Sequence, residues 1–361
     1  MPDRRIERQA ALRALVEREA LDALLVTHLP NVRYLTGFSG SAALLLMTRD
    51  ATVLVSDFRY EVQAVAEAGA VAEVEIDQRN VWNRLGRLLE GRRIGTLGIE
   101  AQALTVRDAG RLAELKRVAV TPTTDLVERL RMTKAPEEVA AIRAAAALAS
   151  EALAEILPAV RPGRTEQEIA ADLEAALRRR GSDWHPFPTT VASGPRSALP
   201  HARASLRAVQ AGDFLLFDFG AIVDGYCSDL TRTVVVGARA TERQRAVYEA
   251  VREAHRRATD HLRAGMTGRE GDALARDLIA ARGFGDAFGH GLGHGLGLEV
   301  HEAPRLSPVA EVPLPAHAVV TVEPGIYLPG WGGVRLEDDI YLSPDGPVYL
   351  SDGHTELVEL V

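Results

Sequence analysis

At 361 residues, with 47% hydrophobic and 25% charged side chains, the chain is long enough for two domains and excludes disorder, collagen-like repeats and a small disulfide scaffold. Its formal net charge of −8 does not advertise binding to a phosphate backbone. Of the 42 basic residues only Lys116 and Lys134 are lysine, and the single cysteine, Cys227, rules out an intrachain disulfide and suits a reducing cytoplasm.

The first residues run into an amphipathic segment with no apolar leader. No apolar run approaches the ~20 residues of a membrane span. The expectation is a soluble, cytoplasmic protein. Leu12, Leu15 and Val16 mark the buried stripe of a first helix. Apolar runs at Ala23–Val26, Ala42–Met47 and Ala51–Val55 read as strands, the last two joined as a hairpin through Thr48-Arg49-Asp50. Val74–Ile76, Thr96–Ile99 and Val118–Val120 then alternate with helical segments near 60–69, 81–90 and 105–115. This is an α/β domain, and Thr121-Pro122-Thr123-Thr124 reads as the start of a linker, dividing the chain into 1–124 and 125–361. A new helix begins at Ala135-Pro136-Glu137-Glu138, with proline at its first position.

The second part contains a duplication. Arg161–Gly181 and Arg263–Gly283 align at an offset of 102, with seven of 21 positions identical. Each copy carries a capping box, Thr165 with Glu168 and Thr267 with Glu270, and stops at glycine. Each follows another helix, near 137–156 and 242–261, and precedes a strand that delivers an acid: Phe214–Phe219 carries Asp218, and Val319–Val322 leads to Glu323. Return strands hold Asp229 and Glu337. The expectation is two α-α-β-β halves related by a pseudo-twofold, their acids converging on one centre.

Asp218 and Asp229 are 11 apart, so a symmetric hairpin about Val223 and Asp224 sets them directly opposite, with Cβ atoms ~4.5–5.5 Å apart. The same arithmetic centres Glu323 and Glu337 on Gly330. Carboxylates embedded in such apolar strands must be neutralised, and two divalent cations cancel four of them. A remaining ligand is sought among the histidines of Gly289–Glu302, where His290, His294 and His301 lie in a glycine-rich run. That run satisfies neither the dinucleotide G-x-G-x-x-G pattern nor H-E-x-x-H, and Gly37-Phe38-Ser39-Gly40-Ser41 lacks the closing glycine of a serine elbow.

Asp218 and Asp229 in a hairpin, His294 within Gly-His-Gly-x-Gly-His, Glu323 in Thr-Val-Glu-Pro-Gly and Glu337 in Arg-Leu-Glu-Asp-Asp together resemble the pita-bread metallopeptidase superfamily. The N-terminal part resembles the creatinase-type α/β domain of its proline-specific branch. The resemblance implies two metals bridged by Asp229 and Glu337, with Asp218 on one and His294 and Glu323 on the other. It implies that His301 and His201 hold the substrate carbonyl and the tetrahedral intermediate, that Phe187, His290 and Val300 line a proline pocket, and that Arg335 supports the carboxylates. Four carboxylates and one imidazole favour Mn²⁺, with Co²⁺ and Zn²⁺ as alternatives.

The activity so implied is release of the N-terminal residue from short peptides with proline second, using water activated by the metals and Glu323 as proton carrier. An Xaa-Pro dipeptidase is the alternative. It needs an arginine for the free carboxylate, and between His301 and Glu323 only Arg305 is present, close behind His301. Unless Arg33 or Arg59 takes that role, the spacing favours an aminopeptidase. A non-catalytic peptide-binding module is the remote third reading. Relatives of this kind are commonly homodimers or larger. Cys227 reads as a packed side chain, and His185, His255, His261 and His354 as ordinary surface or helix residues.

Overall fold

The computed structural model describes residues 3–115 and 118–361. The chain divides into two compact units, one ending at Arg131 and the other starting at Met132.

The first unit comprises α1 (Arg4–Arg18), β1 (Ala23–Val26), α2 (Leu29–Thr36), β2 (Ala43–Thr48), β3 (Thr52–Asp57), α3 (Glu61–Ala68), β4 (Glu73–Asp77), α4 (Val81–Gly91), β5 (Thr96–Glu100), α5 (Val106–Ala113), β6 (Ala119–Thr123) and α6 (Glu128–Arg131). Its six strands form one mixed sheet in the order β4-β3-β2-β1-β5-β6. Leu24, Leu25, Leu45, Leu46, Val53 and Leu54 are fully buried, so the central strands are covered on both faces and read as unbroken apolar runs. Pro122, expected in a linker, lies instead in the edge strand β6, where a missing N–H is tolerated. The unit ends seven residues later than the linker signal suggests. The reason is α6, whose Arg131 donates to Asn31 Oδ1 at 2.7 Å while Asn31 donates to Glu128 at 2.6 Å.

The second unit comprises α7 (Pro136–Ile156), α8 (Glu166–Arg179), β7 (Thr190–Ser193), β8 (Phe214–Phe219), β9 (Ile222–Val223), β10 (Tyr226–Cys227), β11 (Leu230–Val236), α9 (Glu242–His261), α10 (Gly268–Ala281), β12 (Gly293–Gly295), β13 (Glu302–Leu306), β14 (Val319–Val322), β15 (Gly325–Leu328), β16 (Gly332–Arg335), β17 (Asp338–Ser343), β18 (Gly346–Tyr349) and β19 (Val358–Leu360). The duplication is built as the sequence implies. Thr165 and Thr267 cap α8 and α10 through complete capping boxes, and Gly163/Gly265 and Gly181/Gly283 adopt left-handed φ of 94°/90° and 102°/83°. One half forms the sheet β19-β11-β8-β7 and the other β13-β12-β14-β17-β18. Thr231 joins them: its carbonyl accepts the Glu337 N–H at 3.1 Å. Helices α7 and α8 pack on the first sheet through Ala149, Leu153, Ile169 and Leu173, and α9 and α10 on the second through Val251, Ala258, Ala275 and Ile279. Among the described residues, no helix is long and apolar enough to cross a membrane.

Candidate active site

The two hairpins that carry the acids differ in how well a symmetric count describes them. Asp224 and Gly225 turn the first with φ of 50° and 77°, the pair of positive angles that a two-residue hairpin turn requires. The register therefore centres between them, and Asp218 pairs with Thr231. Asp229 is two positions away, diagonal to Asp218 on the same face and still within reach of a shared centre. In the second hairpin one register centred on Gly330 runs from the Val319–Tyr341 pair to the Gly325–Arg335 pair, and Glu323 and Glu337 fall opposite each other within it.

A cavity of about 440 Å³ opens over this face. Its lining includes Asp218, Asp229, His294, Glu323, Glu337 and Arg335, together with His201, His301, His290 and Phe187. Val300 is not part of that lining. The sequence reading gave no place to Arg203, and Arg203 and Arg305 both line the cavity. His201, Arg203, His301 and Arg305 are exposed at the mouth, while Asp229, His294 and Glu337 are buried at the floor.

Ligand atoms of Asp229, His294 and Glu337 all lie within 4.8 Å of one another. His294 Nδ1 donates to the Gly295 carbonyl at 3.0 Å, which leaves the Nε2 lone pair 3.5 Å from Glu323 Oε1 and 3.7 Å from Asp229 Oδ2. Burial drives the His294 pKa down to about 3, so the ring is neutral and Nε2 presents a lone pair to these oxygens. Asp229 Oδ1 is buried without a hydrogen-bond partner. Burial and the neighbouring carboxylates push Asp229 and Glu337 well above the usual range, and burial pushes Glu323 to about 7 against the pull of Arg335. Acids that crowd one another beside a neutral imidazole at these distances are neutralised by protons in the bare protein and fit ligands around divalent cations, whose bonds to oxygen and nitrogen run ~2.0–2.2 Å.

Several partners orient the acids. Arg335 donates from Nη2 to Asp218 at 2.5 Å, from Nε to Thr231 Oγ1 at 3.0 Å and from Nη1 to Tyr327 Oη at 2.8 Å. Thr231 Oγ1 in turn donates to Glu337 at 2.6 Å. The His290 ring faces the Gly291 carbonyl through Nδ1, so Nε2 accepts from Tyr327 at 2.9 Å. Thus Asp218, Arg335, Tyr327 and His290 form one directed chain from the floor to the side of the cavity. Arg276 on α10 fixes the His290 segment, donating to the Phe288 and His290 carbonyls at 2.9 and 2.6 Å.

Behind the acids, Asp339 accepts the Asp229 N–H at 3.2 Å, and Arg232 spans the Glu337 carbonyl and Asp338 at 2.6 and 2.7 Å. Burial alone would raise Asp338, but Arg232 holds it below the usual carboxylate range. His255, expected as ordinary, is fully buried with Nε2 3.2 Å from Asp338. Cys227 is buried, as a packed side chain would be. None of Tyr327, Thr231 or His255 carries a local motif; Asp338 and Asp339 stand out only as further acids beside Glu337.

Residues 140–344 match the model of metallopeptidase family M24, and residues 8–133 match the creatinase/prolidase N-terminal domain. The chain is 36% identical to an Xaa-Pro dipeptidase of Pyrococcus horikoshii, over 95% of this chain and 96% of that one. Among solved structures, an Xaa-Pro dipeptidase from Bacillus anthracis superposes with a TM-score of 0.96 at 38% identity, covering 99% and 100% of the two chains. An X-Pro aminopeptidase from Thermotoga maritima gives 0.90 at 36%, covering 96% and 100%. The fold is therefore a creatinase-type α/β domain followed by a pita-bread catalytic domain, and the chain belongs to metallopeptidase family M24.

Proposed function

We propose that this peptidase is an Xaa-Pro dipeptidase that uses two divalent cations held by Asp218, Asp229, His294, Glu323 and Glu337. The observation that carries the reading is the polarity of the cavity, acidic at its floor and basic at its mouth. A dipeptide carries a cation at one end and a carboxylate at the other, close to the scissile bond. Arg305 suits that carboxylate: it lines the cavity, and its positive charge is felt at His301, His294 and Glu323. The aminopeptidase reading discounted Arg305 for its distance from Glu323 along the chain. That distance is a poor guide here, because β13 runs antiparallel to β12, whose other neighbour is β14. The names of the relatives lean the same way.

Cations in this site would supply Lewis acidity toward the peptide carbonyl and lower the pKa of a bound water. Hard oxygen-rich ligation supports Mn²⁺. Glu323, at the cavity floor with its Oε1 3.5 Å from His294 Nε2, is suited to accept the water's proton and pass it to the leaving proline nitrogen, which as a tertiary amide has no proton of its own. His201 and His301 face the same space and are suited to donate to the carbonyl oxygen as charge develops on it. Phe187 and His290 offer the wall against which a proline ring would pack. Arg335 holds Asp218 and, through Tyr327, the His290 ring, so the floor and that wall keep one geometry.

Matched Leu-Pro, Leu-Pro-Gly and Leu-Ala substrates with Mn²⁺ test the reading. Leu-Pro should be cleaved with a kcat/KM at least ~10-fold above Leu-Ala, since each lost ring CH₂ contact is worth ~0.8 kcal/mol and 1.4 kcal/mol is tenfold, and at least ~10-fold above Leu-Pro-Gly, whose carboxylate lies one residue further from the scissile bond. Arg305→Ala should cost ~10- to 100-fold on Leu-Pro, the worth of a hydrogen bond to a charged group, and leave Leu-Pro-Gly little changed. Faster cleavage of Leu-Pro-Gly would restore the aminopeptidase reading.

A further inference from the structure

Lysine is almost absent from this chain: arginine fills every basic position except Lys116 and Lys134. Lys134 is also nearly inaccessible. Its side chain is 1% exposed, and Nζ lies 3.1 Å from Glu302 Oε2, on a side chain only 7% exposed. A buried charge is kept where its partner and geometry demand it, because removing one member of such a pair leaves the other uncompensated. The compact ammonium fits where a planar guanidinium with five donors would have to be accommodated. Lysine here, against the habit of the whole chain, marks a site with a shape requirement.

Glu302 directly follows His301. Its other oxygen, Oε1, accepts the Glu299 N–H at 3.1 Å and so closes the turn that displays His301. The carboxylate lies flat over Gly297, where a Cβ would come within 2.8 Å of Oε1 and 2.9 Å of Oε2. Glu302 also pairs with Gly295 across an irregularity in the β12–β13 ladder, next to His294. On the other side, the Lys134 N–H donates to the His317 carbonyl at 2.9 Å. The segment from Gly297 to His301 has no regular secondary structure, yet the His301 ring stands 4.4 Å, centroid to centroid, from that of His294.

We propose that the buried Lys134–Glu302 ion pair is a positioning device for His301: it holds the 297–302 turn against β12 so that the imidazole keeps its place beside His294 at the cavity mouth. Lys134 and Glu302 touch no substrate in this account and act through His301. The proposal rests on the dipeptidase reading for its kinetic test, and a structural readout separates the two.

The test uses the full-length, Mn²⁺-loaded enzyme with the neutral double substitution Lys134→Met/Glu302→Gln, which removes both charges and keeps an oxygen for the Glu299 N–H. The folded variant should bind metal as the wild type does and lose ~10- to 100-fold in kcat on Leu-Pro, the scale of a small misplacement of a catalytic group, with KM changed far less. In a His301→Ala background the same substitution should cost nothing further. A crystal structure of the variant should show the His301 ring displaced; this readout stands even if the wild type leaves Leu-Pro intact, an outcome that overturns the reading and not the pair. Wild-type kcat in the variant, an undisplaced ring, or an equal loss without His301 would overturn the proposal. Should the double variant not fold, Lys134→Arg, which keeps both charges but not the compact shape, takes its place with the same expected loss in kcat and displaced ring, and failure of both to fold assigns the pair to stability alone.

Discussion

The two halves of the catalytic unit share a frame and differ in what they add to it. Both begin with a helix pair whose second member is fixed by a threonine–glutamate capping box, and both send a strand toward the centre with an acid at or just past its end. The first half turns its hairpin in two residues, at Asp224-Gly225, and supplies two aspartates. The second uses a longer turn about Gly330, supplies two glutamates, and adds the glycine-rich segment that brings His294 and His301. The cluster of Asp229, His294 and Glu337 draws on both halves. The duplication supplied the frame; the second copy adds His290, His294 and His301 to the cavity and the first adds His201.

The largest test of that comparison removes one bridging candidate from each half. Asp229→Ala and Glu337→Ala should each abolish turnover, by more than ~10³-fold, and each should lower metal content measured by elemental analysis, because the loss of one charged ligand leaves the cations undercoordinated. An effect confined to one half would show that the halves are not equivalent partners.

Next in size, His301→Ala should retain both metals and lose ~10²–10³-fold in kcat, the usual cost of one donor to a developing oxyanion. A variant that loses metal would show that His294 and His301 have exchanged roles.

A subtler effect concerns the metal-free protein. Its acids are raised in the folded state, Glu323 to about 7 and Asp229 and Glu337 well above their usual values. Folded protein then binds more protons than unfolded protein, so this contribution is fully present below the ordinary carboxylate range and is lost as pH rises through 7. Chelated enzyme should therefore show a melting temperature that falls between pH 5 and 8, and added Mn²⁺ should reverse the fall. A flat profile would mean that the acids do not face one another.

The smallest effect compares the copies as scaffolds. Thr165→Ala and Thr267→Ala should each cost ~1 kcal/mol of stability in denaturant unfolding, with kcat unchanged in both. A much larger loss from one would show that the frame is not shared equally.

Much of this was legible because it is local. Capping boxes, C-terminal glycines and apolar runs declare themselves within a few residues, and the acids and histidines stand in short patterns. What failed was long-range. Helix α2 lacks a side-chain N-cap and is marked only by Pro30 in its first turn and Gly37 at its end, while Glu100, remote in sequence, accepts from the Thr27 and His28 N–H groups just ahead of it at 2.6 and 2.8 Å. The first hairpin defied a symmetric count because its turn residues, with both φ positive, set the centre. Val300 was assigned to the pocket by analogy of position and is absent from the cavity lining. Arg305 was discounted along the sequence and stands in the cavity, while Tyr327 and His255 matter only through partners that folding brings to them.

The most direct test of the account is a metal count against activity. Chelated enzyme reloaded stepwise with Mn²⁺ should regain Leu-Pro hydrolysis as the protein approaches two bound ions per chain, and should be inactive with none. Full hydrolysis by the metal-free protein, or saturation of activity without metal bound to the acids of both halves, would contradict it.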